Sequence, residues 1–245
     1  MDASLYARFY EVEEKHWWFV ARRKIVEHLV RELLRIPPGA AVLDVGCGTG
    51  AILQSLAATY NVYGTDTSAL AAEFSKKRGL KNVFQCTLEN FPLRDHRFRL
   101  ITMLDVIEHI EDEHEVLRQA SGMLSPGGVI LITVPAYQWL WSRHDDLNHH
   151  KRRYTKNQLL HTLQSSGLHV TYLSYFNTLL FPLAVVQRIW SKLVPSSVDE
   201  GMNIPSPIMN NTLERIFRSE RKFLGAVSVP FGLSLLAIAT AERPN

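Results

Sequence analysis

The sequence has little cysteine, little net charge and no long uninterrupted apolar run. Only Cys47 and Cys86 occur among 245 residues, too few for a disulfide framework, which favours a reducing cytoplasmic compartment. The formal net charge of +3 is too small to predict a nucleic-acid partner. The longest apolar stretch, Thr178 to Val194, is interrupted by Arg188 and Lys192, so we expect no transmembrane segment. The first residues carry acids and aromatic side chains instead of a basic stretch before an apolar core, and we expect no signal peptide.

Hydrophobic residues make up 46% of the chain and charged residues 21%, the balance of an ordinary globular domain. A chain of 245 residues fits one domain, and we predict a single domain over residues 1–245 with an elaborated edge. Apolar residues at helical spacing predict a helix over residues 3–35. Further on, apolar segments alternate with amphipathic ones, which predicts a parallel sheet covered by helices on both faces. Two helical candidates form an insert at about 177–225 before the last predicted strand.

Closely spaced glycines follow the first predicted strand, Ala41 to Val45. Gly46, Gly48 and Gly50 lead directly into an amphipathic segment, which is the order strand, tight turn, helix. Glycines remove the side chains that would hold a ligand away from the backbone, and a new helix start offers unpaired N–H groups. Asp66 ends the second predicted strand, where a carboxylate can accept hydrogen bonds from the two hydroxyls of a ribose.

Four motifs in this order resemble those of the class I S-adenosylmethionine-dependent methyltransferases, in the subgroup of type 11 and ubiquinone-pathway enzymes. They are Asp44 to Gly50, Asp66, Leu104 to Ile110, and Leu124 to Gly128. The resemblance implies an α/β, Rossmann-like, doubly wound fold, in which a seven-stranded, mostly parallel sheet has an antiparallel last strand and helices on both faces. It also implies an enzyme that uses S-adenosyl-L-methionine as its cofactor.

The resemblance assigns cofactor roles to the residues that match these motifs. The glycine turn would approach the methionine part and the ribose, Asp44 would orient the turn and the cofactor's ammonium group, and Asp66 would bind the ribose. Family members usually have an acid for the adenine amino group where this chain has Thr87, which leaves the backbone or Glu89 for that contact. The implied cofactor-binding residues are Asp44, Gly46, Cys47, Gly48, Gly50, Asp66, Thr67, Thr87, Leu88, Leu104 and Asp105, with Trp17 and Arg22 from the N-terminal segment.

The N-terminal segment, about residues 1–35, would form a helical lid over the cofactor, as such segments often do in this superfamily. Trp17 is the candidate lid residue, Arg22 the candidate partner of the cofactor carboxylate, and Tyr10 a candidate substrate contact. An aromatic face packed on the sheet is an equally good interpretation of this pattern. The insert at about 177–225 would cover the substrate side.

A metal ion is a second interpretation of the motif after the fourth strand. Asp105, Glu108 and His109 resemble the acid-x-x-Glu-His metal site of the polyprenyl-phenol O-methyltransferases, although those enzymes usually have glutamate at the first position. Hard cations prefer several oxygen ligands, and this set is the minimum. We therefore predict no metal, with Glu108 and His109 capping the next helix and lining the pocket, where His109 would contact the substrate.

The loop after the fifth predicted strand would hang over the cofactor's methyl group. Histidine is the natural acceptor for the proton that a hydroxyl or amine loses when it is methylated. We predict His144 as the catalytic base, oriented by Asp145 or Asp146, with His149 as the alternative base. A solvated polar surface loop is the competing interpretation. The candidate substrate contacts in this loop are Tyr137, Trp141 and, for an anionic group, Arg153.

Together these features predict a methyltransferase that acts on a small-molecule acceptor, with O-methylation by a histidine general base as the first choice. N- or C-methylation of a secondary metabolite, or of a lipid- or glycan-linked substrate, is the alternative. The Asn/Asp-Pro-Pro-aromatic motif of amino-methylating nucleic-acid enzymes does not follow Leu104, so an RNA substrate is the weaker hypothesis and we expect no nucleic-acid partner. The apolar insert allows a lipid-like substrate and peripheral contact with a membrane surface. The oligomeric state is left open.

Overall fold

The computed structural model describes residues 3–193 and 203–241. The chain begins with the helices α1 (Ala3–Val12) and α2 (Trp17–His28), and α2 continues into a π-helical turn (Leu29–Leu33). The strands are β1 (Ala41–Val45), β2 (Asn61–Asp66), β3 (Val83–Gln85), β4 (Phe98–Leu104), β5 (Leu124–Pro135), β6 (His169–Phe176) and β7 (Ser234–Thr240). The other helices are α3 (Ala51–Leu56), α4 (Ala69–Lys77), α5 (Glu113–Gly122), α6 (Arg143–Leu147), α7 (Lys156–Ser165), α8 (Phe181–Leu193) and α9 (Pro207–Ser219).

The strands form one sheet in the order β3-β2-β1-β4-β5-β7-β6. Strands β1 to β5 pair in parallel, whereas β7 pairs antiparallel with both β5 and β6. The predicted Rossmann-like, doubly wound α/β fold with its seven-stranded, mostly parallel sheet and antiparallel last strand is therefore confirmed.

Helices cover both faces of the sheet, which explains why β4 and β5 are almost continuously apolar in sequence. On one face, Leu117 of α5 and Leu159 of α7 pack in a core with side chains of both strands. On the other face, Ile25 of α2 and Phe217 of α9 pack in a second core with other side chains of the same strands. The N-terminal segment is thus part of one of the two layers.

The N-terminal segment is two helices and not the single helix predicted for residues 3–35. The helix α1 ends at Val12, and the side chain of the next residue, Glu13, binds Thr49 and Arg78. His16 then begins α2, because its Nδ1 accepts a hydrogen bond from the Trp18 amide at 3.3 Å. A side-chain acceptor at this position satisfies an amide that the first helical turn leaves unpaired.

The predicted insert at about 177–225 contains α8 and α9. Residues 194–202 of the insert, and with them most of the loop predicted between these helices, lie outside the described residues. In the described part of the chain, none of the helices combines the length and the apolar content that crossing a bilayer requires.

The carboxyl ends of the parallel strands meet at one edge of the sheet. Val45 pairs in register with Thr65 of β2 and with Met103 of β4, so the loops that follow these three strands are neighbours. In an open parallel sheet this edge is where ligands bind. The topology therefore places the glycine turn, Asp66 and Asp105 side by side.

Candidate active site

The glycine turn is tightly packed on one side and open on the other. Gly46 and Gly50 have backbone φ angles of +70° and +83°, a conformation that residues with a side chain rarely adopt. A Cβ atom on Gly46 would lie 2.7 Å from Val106, and one on Gly50 would lie 2.7 Å from Ser75. At Gly48, by contrast, an added Cβ would meet no described atom within 4 Å. The open side of Gly48 is therefore where a ligand can reach the backbone.

Asp66 is fixed beside this open position. Its Oδ2 accepts a hydrogen bond from the Gly48 amide at 3.0 Å, and its Oδ1 accepts one from the Ser68 amide at 2.9 Å. The side chain is buried, whereas the neighbouring Thr67 is exposed. The Oδ2 atom keeps a second lone pair for a ribose hydroxyl, and the ribose role of Asp66 stays a prediction.

Tyr6, which no sequence motif singles out, donates its hydroxyl hydrogen to Asp66 Oδ1 at 3.3 Å. Tyr10, the predicted substrate contact, lies elsewhere: its ring stacks on Phe74 at 4.6 Å, and the Arg78 guanidinium lies 4.7 Å from its centre. Tyr10 therefore fastens α1 to α4, while Tyr6 is the tyrosine that faces the glycine turn. Tyr6 and Tyr10 are one helical turn apart on the same face of α1. The direction in which α1 runs across the sheet edge decides which of them reaches Asp66.

Asp44 lies behind the glycine turn. Its Oδ1 accepts a hydrogen bond from the Thr102 hydroxyl at 2.6 Å, and burial raises the pKa of Asp44 to about 7. Cys47 is also buried, and burial raises the pKa of its thiol. Its contribution to the turn is made by the backbone, since the Cys47 amide donates to the Thr65 carbonyl at 3.1 Å.

The end of β4 is joined to α2 by an ion pair. Arg22 Nη2 lies 2.5 Å from Asp105 Oδ2 and donates to the Thr133 hydroxyl at 3.2 Å. The buried Nε of Arg22 has no hydrogen-bond partner among the described residues, so it can still donate to an anionic group. The lid prediction for Trp17 does not fit this geometry, because Trp17 packs edge-on against Phe217 of α9.

Trp18, the next residue, is the tryptophan that reaches Arg22. The Arg22 guanidinium lies 4.9 Å from the centre of the Trp18 ring, the geometry of a cation–π contact.

On the far side of the glycine turn, Thr87 is exposed and its hydroxyl accepts a hydrogen bond from Asn90 at 3.2 Å. Leu88 and Leu104 are buried, and the adenine and methionine contacts predicted for these segments remain predictions.

The loop after β5 is organised around Asp145, and the structure changes the predicted partner of this acid. Asp145 does not orient His144; its Oδ1 accepts hydrogen bonds from His150 Nδ1 at 2.8 Å and from Arg153 Nε at 2.7 Å. Burial acts to raise the pKa of Asp145, but the bonds from His150 and Arg153 hold it below its ordinary value. Arg153 also donates to Asp145 Oδ2 at 2.9 Å and to the Ala136 carbonyl at 3.1 Å. Its guanidinium is therefore committed to the loop and does not offer the open anion site that we predicted.

His144 is half-buried, and its Nε2 lies 3.1 Å from Asn148 Nδ2. Burial lowers the pKa of His144, so the ring is neutral at pH 7. The second predicted partner, Asp146, instead accepts a hydrogen bond from Trp141 Nε1 at 2.9 Å. His149, the alternative base, is exposed and has a φ angle of +56°. The catalytic roles of His144 and His149 stay predictions.

An aromatic wall follows β5. Tyr137 has a φ angle of +58°, and its ring stacks on that of Tyr175 with 5.0 Å between the centroids. Phe181 at the start of α8 lies 6.0 Å from Tyr137 and 6.3 Å from Trp139. The wall therefore connects the loop after β5 with the helical insert, which is where the sequence predicts the substrate side.

The three residues of the alternative metal interpretation do not come together, but a different set of possible ligands does. Asp105 is taken by Arg22, whereas Glu108, His109 and His150 bring their ligand atoms within 4.8 Å of one another. Glu108 and His109 do not cap the next helix either, because the side chain of Asp112 accepts the hydrogen bond at the start of α5. No pattern in the sequence points to His150, which lies far along the chain from the other two.

Comparisons with known proteins agree with this geometry. A family model described as a methyltransferase domain matches residues 18–175. The chain is 35% identical to phosphoethanolamine N-methyltransferase 1 of Zea mays over 111 residues, which are 42% of this chain and 22% of that enzyme. It is 24% identical to the ubiquinone biosynthesis O-methyltransferase of Bordetella avium over 138 residues, which are 54% of this chain and 57% of that enzyme. The chain thus spans less than two thirds of the length of these curated relatives.

A solved structure extends the likeness to almost the whole chain. The complex between the Haloferax volcanii Trm112 methyltransferase activator and a methyltransferase contains a chain that matches with a TM-score of 0.63 and 19% identity, over 99% of this chain and 96% of that one. At this identity the likeness shows the fold. Because the family model covers more than half of the residues, the chain belongs to the methyltransferase domain family, and it has the fold of the class I S-adenosylmethionine-dependent enzymes.

Proposed function

We propose that the chain transfers the methyl group of S-adenosylmethionine to an oxygen of a small-molecule acceptor. The observation that carries the proposal is the buried carboxylate of Asp66, fixed by the Gly48 amide beside the open side of that glycine. A carboxylate that is already positioned loses little freedom when it binds the ribose. The unpartnered Nε of Arg22 suits the carboxylate of the methionine part, since a charge-assisted hydrogen bond there adds affinity.

His144 is the proposed proton acceptor. When bound, S-adenosylmethionine supplies an electrophilic methyl group on its sulfonium sulfur. His144 would take the proton of the acceptor hydroxyl as its oxygen received the methyl group, and S-adenosylhomocysteine would be the leaving product. Burial lowers the pKa of His144, which keeps the ring neutral and able to take the proton at pH 7.

The apolar surface of the insert supports an acceptor with an apolar or lipid-like part. Leu183, Val186 and Ile189 are exposed at helical spacing along α8, and Phe181 joins this helix to the aromatic wall at Tyr137. Exposed apolar surface of this kind is characteristic of binding sites. We propose that the same surface makes peripheral contact with a membrane from which such an acceptor is drawn.

An amine acceptor is the second candidate. The curated relatives include an N-methyltransferase and an O-methyltransferase, and a neutral histidine serves equally well to take a proton from an ammonium group. The two candidates differ in the product, because a methylated amine and a methyl ether have different fragmentation masses.

Calorimetry and methyl transfer test the proposal separately. S-adenosylhomocysteine should bind the purified chain with one-to-one stoichiometry, and Asp66→Ala should weaken binding roughly 10- to 100-fold, the worth of a hydrogen bond to a charged group. Asp95→Ala, which removes an exposed carboxylate, is the matched control. Radiolabelled S-adenosylmethionine should then label a catechol or a polyprenylated catechol in preference to phosphoethanolamine. Normal binding by the Asp66 variant would contradict the cofactor site, and exclusive labelling of the amine would contradict O-methylation.

A further inference from the structure

The ribose of an adenosyl group has two neighbouring hydroxyls, and Asp66 has an open acceptor site for only one of them. Its Oδ1 already accepts two hydrogen bonds, from the Ser68 amide at 2.9 Å and from the Tyr6 hydroxyl at 3.3 Å. Its Oδ2 accepts one, from the Gly48 amide at 3.0 Å. A carboxylate has about four acceptor sites in all, so one, on Oδ2, stays open. The second ribose hydroxyl therefore needs another acceptor beside Asp66.

The Tyr6 hydroxyl is such an acceptor. Tyr6 is buried, and burial together with the Asp66 carboxylate raises the pKa of its phenol, so the hydroxyl keeps its proton and donates it to Asp66. A hydroxyl that donates its hydrogen still accepts hydrogen bonds through the lone pairs of its oxygen. The side chain of Ser68 is a hydrogen-bond neighbour of the phenol and uses at most one of these lone pairs. The Tyr6 oxygen is thus a second acceptor, held next to the carboxylate.

Contacts at the end of α1 hold Tyr6 in this position. The ring of Tyr10, one helical turn further on, has the Arg78 guanidinium 4.7 Å from its centre. Arg78 also donates from Nη2 to Glu13 at 2.6 Å and from Nε to the Thr49 carbonyl at 3.0 Å, and Glu13 accepts a hydrogen bond from the Thr49 hydroxyl. Since Thr49 belongs to the glycine turn, α1 is fastened to the turn itself. An acceptor that is fixed before the ligand arrives loses little freedom on binding.

We propose that Tyr6 is a cofactor-binding residue, whose oxygen accepts a hydrogen bond from one ribose hydroxyl of S-adenosylmethionine while Oδ2 of Asp66 accepts one from the other. The inference rests on the cofactor site of the proposed function, in which Asp66 binds the ribose. Because each acceptor serves one hydroxyl, the pair makes the site specific for an intact ribose. A deoxyribose would leave one of the two acceptors buried without its donor, which is unfavourable.

A different explanation of the contact is that Tyr6 competes with the ribose for Asp66. In that case the phenol would have to leave Oδ1 before the ligand bound, and α1 would have to move with it. The contacts of Tyr10 and Glu13 oppose such a movement. The shared arrangement needs none, because the phenol keeps its bond to Oδ1 and the acceptor site that stays open is on Oδ2, beside Gly48.

Calorimetry on the full chain tests this contact without any measurement of turnover. The ligands are S-adenosylhomocysteine and its 2′-deoxy and 3′-deoxy forms. Tyr6→Phe keeps the ring and removes only the hydroxyl, and it should weaken binding of S-adenosylhomocysteine roughly 3- to 10-fold, the contribution of one neutral hydrogen bond. For the deoxy form that lacks the partner of Tyr6, the variant and the unchanged chain should bind equally, whereas the loss should persist for the other deoxy form. Such non-additivity between the change in the protein and the change in the ligand identifies a direct contact.

Tyr10→Phe, on the same face of α1, is the matched control. It keeps the ring that stacks on Phe74 and should bind all three ligands like the unchanged chain. Thermal unfolding without ligand shows whether each variant is folded. An equal loss for all three ligands in Tyr6→Phe would assign its hydroxyl to the fold, and tighter binding would make it a competitor of the ribose. Either result would overturn the contact.

The outcome for Asp66 separates this inference from the proposed function. If Asp66→Ala weakens S-adenosylhomocysteine binding but Tyr6→Phe does not, the contact of Tyr6 is wrong and the cofactor site stands. If the unchanged chain does not bind S-adenosylhomocysteine, both are wrong.

Discussion

Arg22 Nη2 lies 2.5 Å from Asp105 Oδ2, and this ion pair joins α2 to the end of β4. The Asp105 backbone has a φ angle of +58°, and the Thr133 hydroxyl donates a further hydrogen bond to its carboxylate at 3.2 Å. The pair therefore fixes the N-terminal segment against the loop that would border the methionine part of the cofactor.

Replacement of Arg22 tests whether this pair also serves the cofactor. Arg22→Ala should weaken S-adenosylhomocysteine binding roughly 10- to 100-fold, because a charge-assisted hydrogen bond is lost. Arg22→Lys keeps the positive charge but not the planar guanidinium, and its affinity for S-adenosylhomocysteine should lie between those of Arg22→Ala and the unchanged chain. Calorimetry measures both, with Arg23→Ala, whose guanidinium pairs with Glu14, as the control. Unchanged affinity in Arg22→Ala would assign the pair to the fold alone.

Gly46 tests the glycine turn. Gly46→Ala places a Cβ 2.7 Å from Val106 at a φ angle of +70°, and the left-handed conformation alone costs about 1–2 kcal/mol. We expect Tm to fall by at least about 3 °C and cofactor affinity to fall with it. Gly122→Ala, at the end of α5 where the new Cβ would meet no described atom within 4 Å, should be neutral or slightly stabilising. Equal Tm values for the two variants would contradict the close contact.

Asp44 gives a pH-dependent prediction. Burial raises the pKa of Asp44 from 3.8 to about 7, so between these values the folded chain keeps a proton that the unfolded chain has lost. Stability from this group is therefore fully present below about pH 4 and declines as the pH rises towards 7. Asp44→Asn does not titrate, and it should gain stability relative to the unchanged chain as the pH rises, by up to about 4 kcal/mol above pH 7.

Urea unfolding of the cofactor-free chain at several pH values measures this difference. Asp95→Asn, which changes an exposed carboxylate, should show no such trend. A constant difference between Asp44→Asn and the unchanged chain would mean that Asp44 is ionised throughout.

The rate of methyl transfer, measured as the pH falls below neutral, tests the role of His144. Burial lowers the pKa of His144, so the base stays neutral as the pH falls through the ordinary histidine value of about 6.5. We expect the rate of methyl transfer to decline only below that pH. His144→Gln should lower the rate roughly 100-fold or more without changing S-adenosylhomocysteine affinity. His149→Gln, at an exposed position, is the comparison. A larger loss of rate in His149→Gln than in His144→Gln would make His149 the catalytic base.

The local order of strand, glycine turn and helix was readable from the sequence because it depends on neighbouring residues. The apolar run of β1, the spacing of Gly46, Gly48 and Gly50, and the acid at the end of β2 each predict their own conformation. The rule that ligands bind at the carboxyl edge of a parallel sheet then brings Asp66 and Asp105 to one site. This much of the cofactor site follows without coordinates.

The partners of individual side chains were less predictable. Tyr6 and Tyr10 lie on the same short helix, and its direction decides that Tyr6 reaches Asp66 while Tyr10 stacks on Phe74. In the loop after β5 the acid next to His144 in sequence bonds to His150 instead. Neighbours in a helix point in different directions, so adjacency along the chain does not imply contact.

The sequence by itself determined the class of fold, the family and the edge of the sheet at which a ligand is expected, because these follow from short-range patterns and a topology rule. Only the tertiary structure decided which charges pair and which stay open. Arg22 binds Asp105, and this removes Asp105 from the ligands of the alternative metal interpretation. His150 replaces it beside Glu108 from a distant part of the chain. Such long-range pairing depends on how the loops pack against each other, and no local pattern records it.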